Sequence, residues 1–235
     1  MLILGIETAT ARVGCAIGGH EGVLGLNETT RGRRHAELLA PEIDVLCRQA
    51  DVQLDEIGCI AVDIGPGLFT GLRVGMATAK ALAHALRVPI IGIPSLDLLA
   101  FPVRRSPKLI AAVIDARRGE VFWALYRTVP GGVQRVSPYT VGTPADLVAD
   151  LLVTNEDTLA VGDGALRYRR ELEDGPRIEF AEQFLAHPSA APLVQLAHAR
   201  ALREDWTSPE RLEPLYLRKP DAEINWVTRD GRHRG

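Results

Sequence analysis

The chain has 235 residues, of which 46% are hydrophobic and 24% are charged, and its formal net charge is −3. This composition predicts a globular protein of one large domain or two smaller ones, and the negative charge excludes a general electrostatic attraction to nucleic acid. Any RNA contact must come from a local patch or from a partner. No apolar run approaches the ~20 residues that a membrane span needs, so we expect no membrane association.

The N-terminal segment and the cysteines both indicate a cytoplasmic protein. Residues 1–7 lack the basic start of a signal peptide, and Glu7 interrupts their apolar run. The three cysteines, Cys15, Cys47 and Cys59, share no metal-ligand spacing. We expect them to be buried free thiols in a reducing compartment.

The first half of the chain predicts three strands followed by alternating helices and strands. Gly-containing turns separate the first three strands, and apolar residues at helical spacing predict the helices. We expect Ser95 to cap a short helix that ends this half. The predicted elements are strands at 2–7, 13–18 and 22–29, a helix at 34–50, a strand at 57–64, a helix at 70–87 and a strand at 88–93.

The second half repeats this plan. Glu7 and Asp115 each end an apolar strand and precede a turn with arginine and glycine, about half the chain apart. Such internal similarity favours two related domains, with a chance match of two short patterns as the alternative. Thr143 and Pro144 predict a capped helix start. The predicted elements are strands at 109–115, 120–127 and 133–141, a helix from 144, a strand at 158–161 and a helix at 192–204.

The charged segment 104–108 is the predicted boundary between the two domains. It contains a proline, and such a run stops the elements on both sides of it. We expect one domain at 1–104 and a second at 105–218, followed by a polar, mobile tail at 219–235.

The helices at 34–50 and 70–87 carry more apolar surface than one buried face needs. A helix that is apolar nearly all round is expected to be buried nearly all round. Two hypotheses follow for the helix at 70–87: it is sandwiched inside its own domain, or both helices pack on a partner. The candidate interface residues are His35, Leu38, Val45, Arg73, Val74, Ala77 and Ala81.

A glycine-rich turn joins the strand at 57–64 to the helix at 70–87. Such turns bring backbone N–H groups together at a helix N-terminus, where an anion is favoured. The spacing does not match the Walker A pattern, because Gly71 is followed by Leu72 and Arg73 instead of Lys and Ser or Thr. It does not match the dinucleotide fingerprint either, because Thr70 stands where that pattern needs a third glycine. We interpret the run as a structural turn that seats the helix. Its residues are Gly65, Pro66, Gly67, Phe69, Thr70 and Gly71.

Glu7 and Asp115 are the candidates for nucleotide binding. A carboxylate at a strand end can hold a metal-bound nucleotide or orient water. We favour the other interpretation, in which each carboxylate caps backbone N–H groups of its own turn. The six histidines form no metal-binding pair, and no nucleophile motif occurs. We therefore predict no metal site, no cofactor and no catalytic residue.

Four segments of the chain carry a family resemblance. They are Ile6-Glu7-Thr8-Ala9-Thr10, the run from Gly65 to Gly75, Ile114-Asp115-Ala116-Arg117-Arg118-Gly119-Glu120-Val121 and Pro214-Leu215-Tyr216-Leu217-Arg218. Together they resemble the TsaB (YeaZ) family over residues 1 to about 218. The resemblance implies an α/β fold of two tandem actin-like (ASKHA, ribonuclease H-like) domains with duplicated β-β-β-α-β-α topology.

The resemblance also implies a function. Members of the family look like non-catalytic relatives of TsaD, which they bind and activate as scaffold subunits. With the ATPase TsaE, the complex installs N6-threonylcarbamoyladenosine next to the anticodon of tRNAs that read ANN codons. The resemblance implies contact with tRNA only through the complex, and homodimer formation through the same surface when TsaD is missing.

Two residues depart from the family pattern, and two other functions stay open. The family commonly has Asp where this chain has Glu7, and Ser where it has Leu68. Both differences weaken a nucleotide site and leave packing roles intact. The alternatives are a catalytically competent ASKHA kinase or nucleotide-dependent transferase that uses Glu7 and Asp115, and a zinc peptidase, which the missing ligands disfavour.

Overall fold

The structure, a computed structural model, describes residues 1–30, 35–175 and 177–218. The predicted tail at 219–235 lies outside these ranges, as does the predicted helix start at residue 34. The first half alternates as predicted, with elements that end within a few residues of the expected positions. They are β1 (Leu2–Glu7), β2 (Val13–Gly19), β3 (Gly22–Thr29), α1 (His35–Ala50), β4 (Ile57–Asp63), α2 (Phe69–Leu86), β5 (Ile90–Ile93) and α3 (Ser95–Ala100).

The second half has the same order with additions. The predicted helix from Pro144 is confirmed: the Asp146 N–H donates to Thr143 Oγ1 (3.3 Å), and Thr143 N–H donates to the Asp146 carboxylate (2.8 Å). The helices α5 and α6 and the strand β11 were not predicted. The elements are β6 (Leu109–Arg117), β7 (Glu120–Val129), β8 (Gly132–Arg135), β9 (Thr140–Gly142), α4 (Pro144–Thr154), β10 (Thr158–Val161), α5 (Asp163–Arg167), α6 (Arg169–Leu172), β11 (Ile178–Phe180) and α7 (Ala190–Ala201).

Two sheets with matching strand orders confirm the duplicated actin-like topology. The first has the order β3-β2-β1-β4-β5, and the second has the order β8-β7-β6-β10-β11, with β9 also paired to β7. In each sheet the first strand is antiparallel to the second and parallel to the strand that follows the first long helix. Parallel neighbours end at the same edge of a sheet, so β1 and β4, and likewise β6 and β10, bring their last residues together.

The predicted strand at 133–141 is two strands. β8 pairs with the far end of β7, and β9 pairs with its near end, opposite Val121 to Trp123. Pro138 lies between the two strands and has no N–H to donate to a ladder. The interruption thus follows from a residue that the sequence prediction passed over.

Helices cover both faces of each sheet, and two of them come from the other half of the chain. α1 and α2 pack on one face of the first sheet, and α7 packs on its opposite face. α4, α5 and α6 cover one face of the second sheet, while α3 packs on the other. This exchange of α3 and α7 holds the two sheets together. The division of the chain at residues 104 and 105 stays a prediction.

The start of α3 differs from the prediction. Pro94, not Ser95, is the residue that precedes the helix, and the Ser95 hydroxyl donates to the carboxylate of Asp63 (2.6 Å). Farther along α3, Asp97 accepts hydrogen bonds from the hydroxyls of Tyr126 (2.7 Å) and Tyr139 (2.9 Å). Burial raises the pKa of Asp97, while these two donors and nearby arginines oppose the rise.

Removal of the Tyr126 hydroxyl tests this link between α3 and the second sheet. Tyr126→Phe leaves Asp97 with one donor fewer, so we expect the free energy of unfolding to fall by about 1–2 kcal/mol. Chemical denaturation measures the change. Tyr216→Phe is the control, because Tyr216 is 41% exposed. Equal stability of the two variants would contradict a structural role for the Asp97 hydrogen bonds.

Within the described residues, no helix combines the length and the apolar character needed to cross a bilayer.

Candidate functional site

Four carboxylates mark the ends of the paired parallel strands. Glu7 ends β1 and Asp63 ends β4 in the first sheet. Asp115 lies near the end of β6, and Asp163 follows β10 by two positions in the second sheet. The sequence prediction found Glu7 and Asp115 and missed the other two. The internal repeat could have identified them, because Asp63 at the end of β4 and Asp163 just after β10 occupy matching places in the two halves.

Glu7 and Asp63 form a sealed pair. Their relative exposures are 0% and 1%. Glu7 Oε1 accepts the Ala9 N–H (2.7 Å), and Asp63 Oδ1 accepts the Gly65 N–H (2.7 Å) as well as the Ser95 hydroxyl. The remaining oxygens, Glu7 Oε2 and Asp63 Oδ2, are buried without a hydrogen-bond donor. Each carboxylate therefore caps its own turn, the arrangement that we favoured from the sequence for Glu7.

Both carboxyls of the pair bind a proton more readily than an exposed carboxyl does. Burial is the main cause that raises the pKa of Glu7 well above its usual value, and the Asp63 carboxylate adds to it. Burial likewise raises the pKa of Asp63 to about 7, against the hydrogen bonds from Ser95 and Gly65. Two buried acceptors side by side need a proton between them, and a protonated, enclosed carboxyl is a poor ligand for a metal-bound phosphate.

Asp115 and Asp163 are set among cations instead. Asp115 accepts the Arg117 N–H (2.9 Å) and pairs with the Arg117 guanidinium (3.2 Å) and with Arg167 Nε (3.6 Å). Its own N–H donates to Asp163 Oδ1 (3.0 Å). Burial raises the pKa of Asp163 to about 6 and lowers the pKa of His187, whose Nδ1 lies 3.9 Å from Asp163, to about 4. Asp115 thus caps its turn as well, with two arginines beside its carboxylate.

The glycine-rich turn is packed against the turn after β1. The Leu68 N–H donates to the Ala9 carbonyl (2.6 Å), and Gly67 lies so close to the same carbonyl that a Cβ atom would overlap it. The Gly65–Pro66 bond is cis, Gly65 has a φ of +99°, and its carbonyl accepts the Ser95 N–H (2.8 Å). The N–H groups of Gly65 and Leu68 are therefore already used.

The first turns of α2 are fixed in the same way. The Thr8 hydroxyl donates to the Gly71 carbonyl (2.8 Å), and a Cβ atom on Gly75 would overlap this hydroxyl. Phe69 is half-buried against Tyr216, and Thr70 is exposed. The glycine-rich turn and the start of α2 thus pack directly against the residues that follow β1.

A cavity of about 400 Å³ lies between this turn and the turn after β6. Its walls are residues 66–70, residues 115–118, Phe122 and residues 215–218. It therefore joins both halves of the repeat and the final described segment. The Arg218 guanidinium donates to Glu120 (2.7 Å) at its edge.

α1 and α2 leave several apolar side chains exposed to solvent. On α2, Ala77 and Ala81 are exposed, and Val74 is half-buried. The hypothesis that α2 is sandwiched inside its own domain is therefore wrong. On α1, Val45 is 37% exposed and Leu38 is half-buried. Packing of these helices on a partner stays a prediction.

The other interface candidates differ in what surrounds them. The Arg73 guanidinium lies over the Phe69 ring, 3.8 Å from its centroid, and Arg73 is exposed. The side chain of His35 lies outside the described part of the chain. Arg73 is thus an exposed residue that packs on Phe69, one of the residues that line the cavity.

The cysteines and the candidate ligands show no metal-binding arrangement in the described ranges. No group of three or more His, Cys, Asp or Glu there is placed to hold a metal ion. Cys15 and Cys59 are buried free thiols, as predicted, and burial raises the pKa of each to about 12. Cys47 is only half-buried, because it lies on the side of α1 between the core and solvent.

Comparison with known proteins identifies the family. Residues 22–226 match the model of the TsaD family, tRNA N6-adenosine threonylcarbamoyltransferase. An uncharacterized protein of Mycobacterium leprae is 37% identical over 94% of this chain, which spans only 56% of that relative's length. The tRNA threonylcarbamoyladenosine biosynthesis protein TsaB of Bacillus subtilis is 29% identical over 97% of this chain and 98% of its own.

The fold agrees with this identification. YeaZ from Pseudomonas aeruginosa superposes with a TM-score of 0.80, at 27% identity, over 92% of this chain and all of that one. The chain therefore belongs to the TsaD family and, within it, to the TsaB (YeaZ) proteins of tRNA threonylcarbamoyladenosine biosynthesis.

Proposed function

We propose that this chain is a non-catalytic scaffold subunit that binds and activates a TsaD-type subunit through α1 and α2. The observation that carries the proposal is the exposure of apolar side chains on these helices, Val45 on α1 and Ala77 and Ala81 on α2. Contiguous apolar surface on a folded protein marks an interaction site. Small side chains on α2 allow the backbone of a partner helix to come close.

The sealed Glu7–Asp63 pair supports the non-catalytic part of the proposal. Both carboxyls are enclosed, and their free oxygens have no path to a ligand in solvent. In the glycine-rich turn, the N–H groups of Gly65 and Leu68 are bound to protein acceptors. The two carboxyls and these two N–H groups are therefore not available to a triphosphate and its metal.

The remaining parts of the proposal concern assembly. In the complex a TsaE-type ATPase joins the two subunits, and tRNA is bound by the assembly as a whole in the cytoplasm. The isolated chain covers the same apolar face by forming a homodimer. The exposed alanines and valine support this, since a face left open by one partner is available to a second copy.

Charged substitutions on the helix face test the interface. Val45→Glu and Ala81→Glu each place a carboxylate in an apolar contact, so we expect at least about a 100-fold loss of affinity for the TsaD-type subunit, with the fold retained. Size-exclusion chromatography and calorimetric titration measure the loss. The control is Val153→Glu, because Val153 on α4 is 87% exposed and far from this face. Binding that matches the control would overturn the interface.

The alternative function is a nucleotide-dependent transferase or kinase, and the basic cavity beside Asp115 is the observation that favours it. Titration of the isolated chain with ATP and Mg²⁺ separates the two functions. Tight binding with turnover that is lost in Glu7→Ala would support the enzyme. Our proposal predicts neither.

A further inference from the structure

Four basic residues on α2 and at its end form a stripe, which we call the basic stripe. Arg73, Lys80 and His84 lie within about 40° of one another around the helix axis, at 3.6 residues per turn, and Arg87 directly follows the helix. Lys80 is half-buried, and the other three are exposed. Acidic residues three or four positions from basic ones stabilise a helix. α2 has none, because residues 69–86 contain no aspartate or glutamate.

The three permanent charges of the basic stripe, on Arg73, Lys80 and Arg87, have no ion-pair partner among the residues that the structure describes. The Arg73 guanidinium packs on the Phe69 ring instead, which holds it in place without neutralising its charge. The helix dipole favours a cation at the C-terminal end, where Arg87 lies. It gives no such reason for Arg73, which lies nearer the N-terminal end, so the stability of α2 does not explain the whole stripe.

One carboxylate from outside the helix lies near the basic stripe. Glu210 lines a groove of about 840 Å³ between the end of α2 and the segment after α7. Hydrogen bonds lower the pKa of Glu210, and the nearby charges of His84 and Lys80 add to this effect. Arg211 lines the same groove and likewise forms no ion pair within the described ranges. The charge of Arg211 offsets that of Glu210, so the region keeps the positive charge of the stripe.

Apolar side chains of α2 lie directly beside the basic stripe. Ala77 comes four positions after Arg73, and Ala81 follows Lys80. Both alanines are exposed. Protein interfaces have a mainly apolar centre and a polar rim, whereas the interfaces of proteins with nucleic acids are more polar throughout. Exposed alanines next to unpaired cations therefore favour a protein partner over a phosphate backbone.

We propose that the basic stripe binds carboxylates on the surface of the TsaD-type subunit, at the rim of the proposed interface, and accelerates the association of the two subunits. The inference rests on the proposed function and adds the charge of the partner surface to it. Cations at the rim of an interface attract an acidic partner over a distance, so they act mainly on the association rate. Salt screens this attraction.

The test measures the association and dissociation rates of the full chain with the TsaD-type subunit, at low and at high salt. The variants are Lys80→Glu, Arg87→Glu and the milder Lys80→Gln. Arg170→Glu is the control, because it makes the same change in net charge at an exposed position of α6. Thermal melts confirm that each variant is folded. Unmodified ANN-decoding tRNA is titrated onto the same variants in parallel.

We expect Lys80→Glu and Arg87→Glu each to lower the association rate about 5-fold at low salt, with a change of less than about 2-fold in the dissociation rate. The difference from wild type should disappear at high salt. Lys80→Gln should cause a smaller loss, and Arg170→Glu should match the wild-type protein.

Two results would overturn the proposal and leave the interface of α1 and α2 standing. One is a set of stripe variants that associate as fast as Arg170→Glu. The other is a loss of tRNA binding in these variants with unchanged association of the subunits, which would assign the basic stripe to RNA. If the wild-type chain binds no TsaD-type subunit at any salt concentration, the proposed function fails, and the proposal for the basic stripe fails with it.

Discussion

Gly67→Ala is expected to lower the free energy of unfolding by about 3 kcal/mol. A Cβ atom at this position would overlap the carbonyl oxygen of Ala9, and that oxygen also accepts the Leu68 N–H. The oxygen belongs to the backbone, and the backbone also fixes the position of a Cβ atom. No side-chain rotation can therefore relieve the overlap, and the two turns must separate. The separation breaks the hydrogen bond that starts α2. Because α2 forms half of the proposed interface, affinity for the TsaD-type subunit should fall as well.

Gly132→Ala is the matched control. A Cβ atom there meets nothing within 4 Å, so we expect a change in unfolding free energy of less than about 0.5 kcal/mol. Denaturant titration of both variants gives the comparison. Equal denaturation midpoints for Gly67→Ala and Gly132→Ala would show that the backbone at Gly67 can shift at little cost. The proposal that the glycine-rich turn fixes the position of α2 would then be wrong.

Local patterns in the sequence predicted most of the fold. Apolar strands that end in Glu7 and Asp115 gave the duplication, and the Thr143-Pro144 pair gave the start of α4. The split of the strand at 133–141 could be predicted too, from Pro138. α5, α6 and β11 have 5, 4 and 3 residues. Elements this short carry too few residues for a hydrophobic period to be detected.

The site was harder to predict because its geometry depends on contacts distant in sequence. Asp63 becomes a partner of Glu7 only when β1 and β4 pair, 56 residues apart in the chain. The burial of α2 depends on which helices cover the sheet. On the outer side of α2, Ala77 and Ala81 are exposed, and α7, from the other half, packs on the opposite face of the sheet. Composition alone could not separate an enclosed helix from one with an open face.

Glu7→Gln is expected to change how stability depends on pH. Both carboxyls of the sealed pair have a pKa raised by burial, from 3.8 to about 7 for Asp63 and well above 4.5 for Glu7. Between the ordinary and the raised pKa, the folded protein binds more protons than the unfolded chain. The contribution of the pair to stability should therefore be greatest at low pH and fall as pH rises through this window. Glu28 adds to the rise in the pKa of Glu7, and Arg12 opposes it.

A glutamine at position 7 has no carboxyl to titrate, and it can still make the hydrogen bonds of Glu7. Its oxygen can accept the Ala9 N–H, and its amide can donate to Asp63 in place of the protonated carboxyl of the wild-type protein. From pH 4.5 to pH 7, the stability of the variant relative to wild type should rise by about 3 kcal/mol, at roughly 1.4 kcal/mol per pH unit for one proton. Urea denaturation across this range measures both profiles. Asp44→Asn, at an exposed position of α1, is the control and should run parallel to wild type. If the profile of Glu7→Gln ran parallel to that of the wild-type protein, Glu7 would be ionised in the folded protein and the pair would not be sealed. Glu7 would then again be a candidate for nucleotide binding.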